Sequence, residues 1–596
     1  MGIGAPITIP VPLSSFPGAN PQESAGRLIN CYSEPLGDPS QQGYGAPRDA
    51  TVWRRSPGLS QLAMTAQAGY RGGLLVNNLS INVFAGQVVT VDVNGVVTVL
   101  GALAGSKRVS IARNQNTNLA YPDVIIVDPD NGAFSVVLPV GAPAPLNTSG
   151  AVPAANSVAF QDSYFFLTIA DGRIFASPIN SIVPGSWNSL TFATAQAKSD
   201  VVLLRGIAYQ GYMFFFTTAS CEVWSDQAFP APAFPYSRSS VIPTGLLQAG
   251  AIAGWENGFD NLFWVANDFG VWNMPPNTLQ PTKISPPDLD RLIENASQLG
   301  ATITAHVYIF AGKKFFVVTS PVFTTAWEFN VGTGKWNERS SLQLVTGSQS
   351  VWRSIGSHPA FGSWLTGDTQ SGAILAVDDT NYNDVTTQDT TLFVTTAAPM
   401  MMRIETGVVD KFPMRTRVAR SDFHFTRGTG QSARQSPVAA VLNTSSGTGG
   451  AVRLLLGKTL SFNEGDTTVV SAVGGTVEAN GTWTVHIVDA THLELNGSVF
   501  ANGYTSGGTI ANVTAPPNNV TNPTAAISWS NDGGSSWSAP ALRNIGPAAL
   551  IKTGRVSVKN TGLTGVMGRR WRMDMSDPVY TAFLKATQSD NPTEPS

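Results

Sequence analysis

Hydrophobic and polar positions along this chain alternate in short bursts that repeat. A small, apolar strand recurs at Gly73-Leu74-Leu75-Val76, Val109-Ser110-Ile111-Ala112, Ser157-Val158-Ala159-Phe160 and Gly206-Ile207-Ala208-Tyr209. It returns at Ala251-Ile252-Ala253-Gly254, Thr302-Ile303-Thr304-Ala305 and Ser354-Ile355-Gly356. Leu74, Val109, Val158, Ile207, Ile252, Ile303 and Ile355 mark these strands at spacings of 35 to 52 residues. That interval brackets the roughly 40–45 residues of a four-stranded propeller blade. After each marker come a polar turn and a richer apolar run, such as Tyr164-Phe165-Phe166-Leu167, Met213-Phe214-Phe215-Phe216 or Leu262-Phe263-Trp264-Val265. Innermost propeller strands crowd the axis and need small residues. Middle strands are packed on both faces and read as unbroken apolar runs. The pattern predicts an all-β chain built on a β-propeller of six or seven blades over residues 65–395. One helix is predicted as an inter-blade excursion, with Ser285 as N-cap, Pro286 at its first position, and Leu289, Leu292 and Ile293 on one face.

Beyond residue 395 the texture changes. Phe423-His424-Phe425 and Ile527-Ser528-Trp529 read as neighbouring strands of one sheet, which predicts a β-sandwich-like C-terminal domain over 396–430 and 524–587. Residues 431–523 are inserted between these halves as a small β module, with Gly447–Gly450 and Pro516–Pro523 as its hinges. The Pro- and Gly-rich stretch 1–64 reads as an N-terminal extended arm, and 588–596 as a flexible tail.

Composition narrows the function. Only 13% of the residues are charged and the net charge is −3, so no broad basic surface for gripping nucleic acid is expected. Such a balance suits a conduit, because every neutralised phosphate adds affinity. Cys31 and Cys221 are the only cysteines, which argues against a disulfide framework and fits assembly in a reducing cytoplasm. The opening residues, interrupted by Pro6, Pro10 and Pro12, do not resemble a signal peptide, and no run is long and apolar enough for a membrane span.

Several short motifs, in order, resemble one family. Arg27-Leu28-Ile29-Asn30-Cys31-Tyr32 followed by Ser56-Pro57-Gly58-Leu59 resembles the opening of the tail nozzle, or packaged-DNA stabilisation, proteins of short-tailed bacteriophages (podoviruses). Gly105-Ser106-Lys107-Arg108-Val109-Ser110 is similar to a family stretch entering a blade. Asp422 to Gly430 and Trp529-Ser530-Asn531-Asp532-Gly533-Gly534 are similar to its C-terminal strand, turn and strand. The resemblance implies a structural tail protein of the virion and not an enzyme. It implies a homohexameric ring docked on the adaptor below the portal, with double-stranded DNA passing through the lumen without sequence-specific binding. A tail needle or plug and tailspikes or fibres would be its distal partners. The insertion 431–523 departs from the family pattern.

Candidate chemistry is sparse. Arg415, Arg417 and Arg420, with Arg569, Arg570 and Arg572, form two basic tracts that would meet acidic adaptor residues or passing phosphate if both face one surface. The pairs Arg54-Arg55, Lys107-Arg108 and Lys313-Lys314 read as solvated strand edges. The five histidines, His306, His358, His424, His486 and His492, lack metal-ligand spacing, and no cofactor motif occurs. Ser530 to Trp537 matches the S-x-D-x-G-x-x-W Asp-box of sialidases, but that motif is a hairpin turn, and here it lies outside the repeat. An alternative to the nozzle is a receptor- or glycan-binding propeller of the tail.

Overall fold

The computed structural model describes residues 6–36, 51–116, 119–183, 185–198, 202–227, 234–342, 348–378, 381–389, 394–411, 415–430, 434–444, 449–456, 464–489, 491–512, 522–546 and 552–591. The repeat folds into seven blades among these residues. They span 72–102, 110–145, 157–194, 203–242, 252–283, 304–342 and 354–378. Every marker falls on, or one residue before, the first strand of its blade. Second strands such as Val124–Asp128 and Leu262–Val265 are buried along their whole length, as unbroken apolar runs require. The helix Pro287–Gln298 begins one residue later than predicted, with Pro286 as N-cap, and buries Leu289 and Ile293 between blades 5 and 6.

The seventh blade shows why 1–64 is not an extended arm. Its outer strand is Gly58–Met64, which pairs antiparallel with Ala373–Asp378 and closes the ring with the chain's own N-terminal segment. Gly58 is required there, because a Cβ would stand 2.1 Å from the Asn383 carbonyl oxygen. At the other end the blade stops at Asp378; the hairpin of Asn383–Asp389 and Val394–Pro399 is a separate two-stranded sheet.

The residues before Gly58 build the sandwich instead. One sheet runs Cys31–Pro35, Thr51–Arg55, Val579–Asn591, Arg417–Gly430, Lys552–Leu563, with Ile7–Thr8 also on Val579–Asn591. The facing strands are Arg27–Ile29, Met402–Glu405, Arg570–Met575, Thr524–Ser530 and Ala541–Asn544. Phe423 and Ile527 therefore lie on opposite sheets and not on neighbouring strands. Both point into one core with Leu28, Trp571, Met573 and Phe583, and facing sheets give the same alternation as paired strands. The tail is also shorter than expected: Gln588 and Asp590 are buried within the last strand, and 592–596 lie outside the described residues.

The second sheet continues out of the propeller. Arg27–Ile29 pairs in parallel with Lys335–Leu342, the outer strand of blade 6, so blade and sandwich form one ten-stranded sheet. Arg27 holds Glu338 through two contacts, Nε to Oε1 at 3.0 Å and Nη2 to Oε2 at 2.5 Å. Asn30 adopts φ 54° and its amide donates to the carbonyls of Ser340 (3.0 Å) and Met401 (2.9 Å). Tyr32 then packs on Phe315, between blades 6 and 7.

The insertion is a closed barrel of six strands within Arg434–Asn512. Its core, which includes Val441, Leu454, Val485, Leu493 and Ile510, uses no residue from the propeller or the sandwich. Gly449 and Gly450 sit in a turn between its first two strands and not at its boundary. Of the other hinge residues, 447–448 and 516–521 lie outside the described residues, and Asn522 and Pro523 lead into Thr524–Ser530.

Candidate basic docking face

The structure separates the two arginine tracts. Arg569 is fully buried, and its guanidinium donates to Asn531 Oδ1 (3.0 Å), to the Thr561 hydroxyl and carbonyl, and to the Leu563 carbonyl (2.8 Å). Burial pushes its pKa down to about 10. Arg570 is equally committed, donating to the carbonyls of Thr406 (3.0 Å), Pro21 (2.8 Å) and Gly533 (2.9 Å) and to Ser24 Oγ. Arg572 lies 4.6 Å over the Trp537 ring. These three hold loops in place and form no common surface with the first tract. Guanidinium groups with five donors in a rigid fork are well suited to gathering carbonyls from separate loops.

The first tract faces outward. Arg415 donates from Nε to the Thr564 carbonyl at 2.9 Å, and Arg417 is exposed. Arg420 bonds Asp422 Oδ1 (2.8 Å) and Ser557 Oγ (3.1 Å). Along Arg417–Gly430 the residues Val418, Phe423 and Phe425 point to the core, so Arg420, Asp422 and His424 take the solvent side.

Register then reveals cations that the sequence reading missed. Arg420 is opposite Lys559, while His424 sits between Arg555 on one side and Lys585 on the other. Cross-strand partners stand about 4.5–5.5 Å apart at Cβ. Arg555, Lys559 and Lys585 are all exposed. The face thus carries Arg420, Arg555, Lys559 and Lys585 around the Asp422 carboxylate. His424 responds to them: partial burial, then the charges of Lys585 and Arg555, lower its pKa, so it is neutral at pH 7. Burial alone would raise the Asp422 pKa, but hydrogen bonds from Ser557 and Arg420 hold it below the usual carboxylate range. The available signal was period-two spacing of Arg555, Ser557 and Lys559, but only the pairing register places Lys585 beside them.

Other candidates resolve into structural roles. In the Asp-box, Ser530 Oγ accepts from the Gly534 amide (2.8 Å) and Asp532 Oδ1 accepts from the Ser536 amide (3.0 Å). Bonds from Ser536 and Ser530 hold the Asp532 pKa at about 2. The hairpin so fixed offers its Gly533 carbonyl to Arg570, as Pro21 of the N-terminal segment also does. His358 lies between Ser80 Oγ (2.7 Å) and Tyr70 OH (3.3 Å), and burial lowers its pKa to about 4. His486 and His492 face separate carboxylates, Glu464 and Asp489. No group of three or more His, Cys, Asp or Glu placed to hold a metal occurs among the described residues. Among them, too, no helix is long and apolar enough to cross a membrane. A polar cleft of about 470 Å³ is lined by Asn77, Arg113, Asn114, Gln115, Asn116 and Phe160, with Leu119 and Pro122.

A closed seven-bladed propeller continuous with a β-sandwich, held by buried arginine clamps, places the chain among all-β propeller proteins. The family model described as Bacteriophage P22 Gp10, beta-propeller, matches residues 47–382, more than half of the chain. The chain belongs to that family of phage tail-stabilising propellers, and it is accordingly a virion component of the tail. No curated protein matches it in sequence. Similar solved structures include the WD40 propeller domain of Doa1 (11% identity, 54% of this chain and 97% of that one, TM-score 0.34). BamB from Moraxella catarrhalis is another, at 11% identity over 59% and 97%, TM-score 0.33. Likenesses at this level add nothing to the functional argument.

Proposed function

We propose that the chain forms the nozzle of a short-tailed phage: a homohexameric ring below the portal and adaptor that retains packaged DNA and conducts it during ejection. The observation that carries this is the family match, extended by the weld between blade 6 and the sandwich. A wall around pressurised DNA must not yield between its parts, and one sheet running through both domains transmits load through backbone hydrogen bonds and a close-packed core. The deciding experiment is cryo-electron microscopy of tails released from the particle. Six copies in a ring directly beneath the adaptor are expected; a peripheral position would end the nozzle reading. Loss of the protein should give filled heads that leak DNA, and assembly is expected in the host cytoplasm, with needle or plug and tailspikes as distal partners.

Within that role the basic face docks on acidic residues of the adaptor. A stationary protein contact tolerates concentrated charge, whereas four cations in the bore would grip each passing phosphate. Arg415 and Arg417 border this face. Replacing Arg555, Lys559 and Lys585 together by Gln should weaken binding to adaptor-bearing heads at least tenfold and flatten its salt dependence. Unchanged binding would place the docking surface elsewhere.

The polar cleft favours a second reading, glycan binding. Amides, an exposed Arg113 and an aromatic ring are the groups that recognise sugar hydroxyls and acidic sugars. A glycan array without hits would discard it.

A further inference from the structure

Arg108, read from sequence as part of a solvated edge, lies on the propeller axis. It precedes the first strand of blade 2, yet its Cδ comes within 3.2 Å of the point where a Cβ would stand on Gly250, which precedes blade 5. Its Nη1 lies 3.3 Å from the corresponding point on Gly356 of blade 7. No two of blades 2, 5 and 7 are neighbours in the ring, so a side chain reaching all three crosses the bore. Glycine at 250 and 356 makes room for it.

The guanidinium that arrives there is unmatched. Arg108 is half-buried and makes no hydrogen bond or ion pair with any described residue. Arg205, from the first strand of blade 4, is the second cation of the bore. It donates to the Ala249 carbonyl (3.1 Å) and to Glu256 Oε2 (2.7 Å), while its Nε is buried without a partner among the described residues. His306, on the first strand of blade 6, likewise leaves a buried Nδ1 unpaired, its Nε2 lying 3.2 Å from Ser354 Oγ. Burial, with the charges of Arg108 and Arg339, drives His306 down to about 3, so it is neutral. Burial and then the charge of Arg205 lower Arg108 to about 10, which leaves it protonated at pH 7. Tyr70 completes the surroundings, its ring packed beside Gly356 and its phenol on His358. Two guanidinium groups face one carboxylate, and unpaired donors in such a site each cost free energy that a bound anion returns.

We propose that the propeller bore holds a small oxyanion of the phosphate class, received by the fork of Arg108 with Arg205 Nε as a further donor. Planar guanidinium groups match tetrahedral oxyanions bidentately. A bore crossed by Arg108 admits an ion and excludes a duplex, so the ligand is a free ion and not the DNA backbone. The site belongs to the propeller and is independent of the tail role.

The test is titration of the full chain with inorganic phosphate, followed by phosphorus NMR and by thermal melting against chloride and acetate at matched ionic strength. Saturable phosphate binding with a rising melting temperature is expected, with acetate at least tenfold weaker. Arg108→Met should weaken phosphate binding at least tenfold and, without phosphate, melt no lower than the unaltered chain, because it removes an uncompensated charge. Arg108→Lys should fall between the two. Absence of saturable binding to the unaltered chain, equal binding by acetate, or equal affinity in Arg108→Met would overturn the proposal.

Discussion

The weld between propeller and sandwich and the inserted barrel are both β-structure attached to the sandwich, but they are joined in opposite ways. At the weld, a strand pairing, an Arg27–Glu338 contact, the Asn30 bridge and Tyr32 packing all cross the boundary within six residues. The barrel closes on itself, so its strands have no free edge to offer and its core no shared residues. The difference teaches what each can do. Bodies that share a sheet and a core unfold together, while a closed module on chain crossings keeps its own stability. The weld ties the propeller to the sandwich, and the barrel stands on a core of its own.

The comparison breaks first at Gly58. Gly58→Val drives a side chain into the Asn383 carbonyl and should displace the strand that closes blade 7. A loss of about 3 kcal/mol or more is expected. Denaturant unfolding should show propeller and sandwich destabilised together, with the barrel transition in place. Independent movement of the propeller alone would dissolve the idea of a single welded body.

A smaller effect is expected from Arg27→Met, which strands Glu338 in the interior. Breaking a fully buried pair costs about 3–5 kcal/mol. Here about 2–3 is expected, because the Arg27 side chain is 26% exposed. Burial raises the Glu338 pKa, but the charge and hydrogen bonds of Arg27, with bonds from Thr325 and Ser15, bring it below 4.5. A depressed folded-state pKa gives stability that is complete above the unfolded value and lost as pH falls through the folded one. The unaltered weld should therefore weaken only at pH below about 4.5. In Arg27→Met burial outweighs the remaining bonds and raises the Glu338 pKa, so the stability lost through the substitution should shrink as pH falls and the stranded carboxylate takes up a proton. A pH–stability profile of the variant parallel to that of the unaltered chain would count against the pair as the source.

These elements also show how far the sequence was legible. Blade strands could be read because local pattern decides them: small residues at the axis and unbroken apolar runs behind. The helix was found to within one residue from its proline and apolar face. What escaped was every feature made by long-range register. Gly58–Met64 pairs with residues more than 300 positions away, so nothing local distinguishes it from an arm. Arg569 and Arg570 look like exposed basic residues in sequence, and only the carbonyls of Pro21, Thr406, Thr561 and Leu563 turn them inward. Lys585 joins Arg555 only across Arg417–Gly430. Arg108 meets blades 5 and 7 only because the ring closes.

The last and smallest effect sharpens the contrast most. Replacing residues 434–512 by a short flexible linker removes the barrel without removing any residue of the sandwich core. Thr524–Ser530 keeps its partner Arg570–Met575, and Arg417–Gly430 keeps Val579–Asn591 and Lys552–Leu563. The main unfolding transition should stay within about 2 °C of the full chain, since a change below ~1 kcal/mol moves a large domain by no more than a few degrees. Produced alone, residues 434–512 should give a separate cooperative transition, carried by a core that includes Val441, Leu454, Val485, Leu493 and Ile510. Calorimetry of the three proteins decides the matter. If the shortened chain melts many degrees lower, or the isolated barrel does not fold, then the barrel and sandwich are coupled through contacts beyond their cores. The module would then belong to the welded body and not stand as a separate folding unit.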